Sequence, residues 1–212
     1  MANLGAIQSY VAKRLIDPNG TAVDAEDVKI GINESIRYWK LRRFWFNEVN
    51  DTATLTAGSA AFPYPADFLV PALKDDGFAI EYGSIRFPLS KVSKPQYDNS
   101  YISNSKGLPR WYARMANQEY QCFPIPNVDY VVQRHYLKDY ADLVNSSDEN
   151  DFTQNADRLL KLWTLSNLTQ ELRQDTQQAS YYRTAANDEY ISLQSFTNKA
   201  NAAGKLTIHS NL

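Results

Sequence analysis

The residues able to do chemistry in this chain are few and poorly spaced for it. There are two histidines, His135 and His209, and one cysteine, Cys122. A thiol or hydroxyl nucleophile needs a base within hydrogen-bond reach. Only Cys122 and His135, on strand candidates that could be neighbours, offer such a pair. The plainer assignment is a small buried strand cysteine and a half-exposed histidine. Paired carboxylates can hydrolyse glycosides, and Asp75-Asp76 and Asp148-Glu149 with Asp151 are candidates by residue type. Both groups sit in polar, turn-like stretches, where solvated charge is the ordinary role. The sequence has no Gly-x-Ser-x-Gly elbow, Gly-x-Gly-x-x-Gly turn, Walker loop or His-Glu-x-x-His helix. A single cysteine rules out an intrachain disulfide and a cysteine zinc cluster. The expectation is no catalytic residue, no metal and no cofactor.

One charged group stands out. Arg37, Lys40, Arg42 and Arg43 form the densest basic cluster, with Arg37 and Lys40 on one helix face. Such a cluster suits contact with phosphate on passing DNA, or with an acidic partner surface. It also suits a solvated face above an apolar stripe. The net charge of −2 and the pI near 5.7 argue against generic nucleic-acid binding. No apolar run approaches membrane-spanning length. The single cysteine fits a reducing compartment or a virus particle assembled in one, and the N-terminus, without a basic region and an apolar stretch, does not read as a secretion signal.

The elements that position these residues follow from proline distribution and hydrophobic period. Eight of the nine prolines lie between Pro63 and Pro126, so helices are confined to the two ends. Leu4, Ile7, Val11 and Leu15 predict a helix over 4–16, closed by the turn at Asp17-Pro18-Asn19-Gly20. Asp24 predicts the N-cap of a second helix with the stripe Val28, Ile32, Ile36 and Trp39, running to about Arg43 or Trp45. From Asn47 the period changes to two. Strands are expected from Val49 to Leu55, in a 78–92 hairpin with Pro88 at an edge, and over 110–116, 119–123 and 130–136. Residues 93–108 read as a long loop. Helices return over 155–174 and from Asp175 or Thr176 to about Ala200.

The expected fold class is α+β: a bundle of N- and C-terminal helices around a central, mostly antiparallel β insertion. The expected organisation is helices over 1–46, the insertion over 47–141, an acidic linker over 142–154, helices over 155–203 and an extended tail over 204–212. Leu206, Ile208 and Leu212 make that tail apolar, with nothing of its own to pack on. Phe44, Trp45 and Phe46 point in different directions around a helix end, and most of them are expected in the core.

In order along the chain, a set of phrases resembles one family. Ile32-Asn33-Glu34-Ser35-Ile36 leads to Phe44-Trp45-Phe46-Asn47-Glu48. Tyr64-Pro65-Ala66-Asp67-Phe68 follows, then Val92-Ser93 with Tyr97-Asp98. Gly107-Leu108-Pro109-Arg110-Trp111-Tyr112, Pro124-Ile125-Pro126 with Tyr130, and two closing helices complete the set. This order is similar to that of the head-to-tail adaptor (connector) proteins of tailed bacteriophages, especially short-tailed ones. The resemblance implies a structural virion protein in the neck, assembled in the host cytoplasm. It implies a ring, usually dodecameric, bound to the portal protein ring, retaining packaged DNA and presenting a platform for a tail or nozzle protein. It further implies that Leu206, Ile208 and Leu212 dock on the portal or a neighbouring subunit, with strand addition as the mode. Arg37, Lys40, Arg42 and Arg43 would then face the DNA channel or an acidic partner. The rival readings are a carbohydrate-binding tail or spike module and a particle-associated wall-degrading enzyme.

Overall fold

The computed structural model describes residues 2–15, 23–62, 65–72, 77–101, 105–115 and 120–202. The chain divides into two compact units, Met1–Asn47 with Tyr140–Leu212, and Glu48–Asp139. The first is helical and the second carries the sheets, so the fold is α+β with helices at both ends of the chain.

The helical unit contains α1 (Leu4–Arg14), α2 (Ala25–Trp39), α4 (Asp151–Asn155), α5 (Asp157–Arg173) and α6 (Thr176–Ala202). The expected stripes form its core. Leu4, Ile7, Val11 and Leu15 are buried, as are Val28, Ile32, Ile36 and Trp39. Each such side chain contributes roughly 1.5–3 kcal/mol relative to exposure. Asp24 caps α2 by accepting the Glu26 N–H at 2.9 Å, and Asp175 accepts the Gln178 N–H at the start of α6 at 2.9 Å.

Gly31 marks a close crossing of α2 and α5. A Cβ there would lie 3.2 Å from Thr164 Cγ2 and 3.5 Å from Leu168 Cγ. Ser35 Oγ donates to the Gly31 carbonyl at 2.7 Å and lies 2.9 Å from Thr164 Oγ1. The crossing is thus a seam of small side chains whose hydroxyls are satisfied locally. The glycine that weakens α2 as a helix permits this packing.

Three local expectations are corrected. Helix α2 stops at Trp39, short of Arg43, because Asn47 captures the chain beyond it. Its side chain accepts the Phe44 N–H at 2.8 Å and donates to the Arg42 carbonyl at 2.8 Å and the Lys40 carbonyl at 3.3 Å. Residues 93–108 are not a plain loop, since they contain α3 (Lys94–Tyr101) and the short strand β6 (Lys106–Gly107). The stretch expected as a linker over 142–154 is folded into the helical unit. Leu143 and Phe152 are buried there. Asn33 brackets Leu143, donating to its carbonyl at 3.0 Å and accepting its N–H at 2.9 Å. Asn150 and Thr153 form a capping box that starts α4.

In the second unit, a five-stranded antiparallel sheet has the order β1 (Glu48–Leu55), β10 (Tyr130–Lys138), β3 (Phe78–Tyr82), β4 (Ile85–Pro88), with β2 (Phe68–Pro71) also on β10. Pro88 does lie on β4, at the end of that order. A smaller sheet has the order β5 (Ser90–Lys91), β7 (Trp111–Arg114), β8 (Tyr120–Phe123), with β5 parallel to β7. β6 pairs in parallel with β9 (Ile125–Pro126). Alternation explains the layers. Tyr112 and Cys122 join Leu55, Phe78, Ile80 and Val132 in the core between the sheets. Ala113 and Phe123, from the other face of the small sheet, pack with Tyr97 of α3.

Candidate interaction surfaces

The residues screened for catalysis are kept apart and given structural work. Cys122 sits on β8 in the buried core of the second unit, and burial pushes its thiol up to about 12. His135 sits on β10 of the other sheet, in the alternation opposite to the buried Val132 and Tyr136. Its Nε2 is 2.8 Å from Glu48 Oε2 across the β1–β10 pair. Cys122 and His135 therefore do not form a nucleophile–base pair. Asp148 accepts the Val144 and Asn145 N–H groups at 2.9 and 2.8 Å. Those backbone hydrogen bonds hold its carboxyl below the usual carboxylate range. Asp151 accepts the Tyr140 hydroxyl at 2.9 Å. Asp148 stabilises a turn, and its lowered carboxyl is the reverse of the raised one an acid catalyst needs; Asp151 is the first residue of α4. Asp75, Asp76 and His209 lie outside the described residues. Among the described residues no cluster of His, Cys, Asp and Glu could hold a metal ion, and no helix is long and apolar enough to cross a membrane.

The basic cluster divides. Arg37 forms a two-pronged ion pair with Asp142, with Nε donating to Oδ1 at 3.1 Å and an Nη–Oδ2 contact beside it. That hydrogen bond and the carboxylate's charge raise the Arg37 pKa further. Arg42 is exposed just past α2, while Lys40 and Arg43 are partly buried. The chain turns after α2, so the four do not continue one helix face. Arg37 helps tie the 140–145 segment to α2, and Arg42 presents its charge to solvent.

The aromatic phrase following this cluster is packed mainly inside the helical unit. Phe44 is fully buried and stacks on Phe46 at 5.1 Å between ring centroids. Both meet Phe152 edge-on, at 5.8 and 5.0 Å. Trp45 is half-buried against Phe196 of α6 at 4.6 Å. Asn47 is the side chain that closes this turn. Its role was not read from the sequence, and Asn-Glu after an aromatic run was the available signal.

The order of these phrases is also what a family description captures. A family model described as SU10 adaptor protein matches residues 2–206. The chain belongs to that family. It is a bacteriophage head-to-tail adaptor and a structural protein of the virion. No curated protein matches the chain. For an adaptor, the surfaces that matter are those offered to other subunits. The outer side chains of the helical unit include Leu41, Tyr181 and Ile191, largely exposed, and Tyr38 and Phe196, about half exposed. The apolar positions Leu206, Ile208 and Leu212 lie outside the described residues.

Proposed function

We propose that this adaptor assembles as a closed ring, usually of twelve copies in such proteins, beneath the portal ring of the filled capsid. There it seals the portal against loss of packaged DNA and presents a platform for the tail or nozzle protein. The observation that carries this reading is the family match over residues 2–206. The chain's chemistry is in keeping with it, because His135, Cys122, Asp148 and Asp151 serve packing and turns. A ring requires one heterologous contact, repeated until it closes, and many modest contacts then add through multivalency.

In this reading the 204–212 segment is an extended tail, and Leu206, Ile208 and Leu212 dock on the portal or a neighbouring subunit, adding a strand to an exposed edge. Arg37, Lys40, Arg42 and Arg43 face the DNA channel or an acidic partner surface, with Arg42 the most available of the four. Assembly takes place in the host cytoplasm. Deleting residues 205–212 tests the docking. The truncated chain is expected to keep its circular dichroism spectrum and melting temperature but to lose co-sedimentation with portal rings. Undiminished co-sedimentation would remove the tail from the interface.

A further inference from the structure

Two apolar features of the sheet-bearing unit face solvent, one on the small sheet that the chain enters after β4 and one at the tip of the β3–β4 hairpin. The first is a cleft of about 370 Å³ between α3 and the small sheet, lined by Val92, Gln96, Tyr97, Asn99, Trp111 and Phe123. Trp111 is its open wall, 38% exposed, with its ring stacked on Phe123 at 6.0 Å. The second is the tip of the β3–β4 hairpin. Tyr82 and Ile85 pair across the Gly83-Ser84 turn and are 59% and 60% exposed. Gly83 takes φ +62 there, as so tight a turn requires. The Tyr82 ring lies edge-on to Tyr130, with centroids 5.7 Å apart. Val128, in the loop before β10, adds apolar surface at the same end.

From this tip the chain runs along β4 to Ser90, which pairs with Trp111. Tip and cleft are thus separated by roughly 16 Å of extended chain. The paired strands β3 and β4 hold the tip away from the cleft of the same chain. Charge matches the two features. Residues 89–115 carry Lys91, Lys94, Lys106, Arg110 and Arg114 against Asp98 alone, a local +4 in a chain whose total is −2. All five of these basic side chains are exposed. The tip end carries Glu81 and Asp129 against Arg86, and all three are exposed.

We infer that the occupant of the cleft is a second copy of this chain: Tyr82 and Ile85 of one subunit seat against Trp111 and Phe123 of the next. This rests on the ring reading above and supplies its contact. A knob and a hole at two separate places on one unit make a heterologous interface, which propagates from copy to copy until it closes. The aromatic anchors provide the buried centre of the contact, and the basic and acidic surrounds set direction and register.

The test is a chain carrying both Ile85→Cys and Gln96→Cys, assembled on portal rings and treated with a bismaleimide. Buried Cys122 does not compete for the reagent. A ladder of covalent multimers is expected from the double variant, and none from either single variant. Dimers from Ile85→Cys alone would mean a two-fold contact and would overturn the inference. Assembled rings that give no ladder would overturn the contact while leaving the ring reading intact. If the chain never assembles, the ring reading fails and the contact falls with it. In parallel, Trp111→Ala, and separately Tyr82→Ser with Ile85→Ser, should each raise the concentration for half-assembly about thirtyfold, with melting temperatures near that of the parent. Intact assembly with loss of tail-protein capture in Trp111→Ala would assign the cleft to the tail protein instead, and salt-sensitive DNA capture lost in the same variant would assign it to DNA; either would contradict the inference.

Discussion

Asn33 and Asn47 hold the irregular backbone of the helical unit. Asn33 gives Leu143 both hydrogen bonds that a neighbouring strand would supply. Replacing it by Ala leaves a buried N–H and a buried carbonyl without their partner, each a costly loss. Asn33→Ala should lower unfolding free energy by about 3 kcal/mol, read from urea titrations as a lower midpoint at unchanged slope. Asn47→Ala removes the closure of α2 and should cost a similar amount. Neither role was legible in the sequence, because a buried amide in an apolar stripe looks like an ordinary exposed position until its partner, far along the chain, is in place. Cys122 was legible as a buried strand residue. With the thiol pushed up to about 12, it should resist a disulfide reagent at pH 8 in the folded chain and react at once in denaturant. Asp148 gives a pH signature. Its folded pKa lies below the ordinary value. Its contribution is therefore complete above the unfolded pKa and is lost as pH falls through the folded one. The stability gap between the parent and Asp148→Ala should narrow as pH drops below the usual carboxylate range, and a gap constant down to pH 2 would contradict that role.

At the scale of elements, periodicity was a good guide where one face of a helix meets a core. The stripes of α1 and α2 and the leucines of α5 identified their helices, because burial imposes a spacing of three and four. The guide failed for α3, whose sequence is polar and contains Pro95. The missed signal was chemical. Ser93 and Gln96 form a reciprocal cap, with the Ser93 N–H donating to Gln96 Oε1 at 3.0 Å and the Gln96 N–H to Ser93 Oγ at 3.4 Å. Proline is tolerated in a first helical turn, where its missing N–H has no intrahelical acceptor. Only Tyr97 need be apolar, and it anchors α3 to β8 through a hydroxyl bond to the Cys122 carbonyl at 3.2 Å. The α2–α5 crossing makes a second prediction at this scale. Gly31→Val would drive methyl groups into Thr164 and Leu168. It should cost about 1–3 kcal/mol by overpacking, although valine does not break helices to that extent. Thermal denaturation of Gly31→Val against the milder Gly31→Ala measures the difference.

At the scale of the molecule, the change of period at Asn47 and the crowding of prolines between Pro63 and Pro126 made the α+β class legible, with helices from both chain ends and a β-rich middle. The ordered phrases led to the family, and the match over residues 2–206 confirms it. What a single chain does not display is its assembly, since a contact between copies leaves no periodic trace in the sequence. The Trp111 cleft and the Tyr82–Ile85 tip emerge only when strand pairing sets one on the small sheet and the other at the end of the β3–β4 hairpin. The most direct measurement is native mass spectrometry of the purified adaptor mixed with the portal ring of the same phage. A discrete complex of portal plus a fixed number of adaptor chains is the expected result, and its mass gives the copy number. Folded adaptor chains that remain separate from intact portal rings would contradict the proposed role.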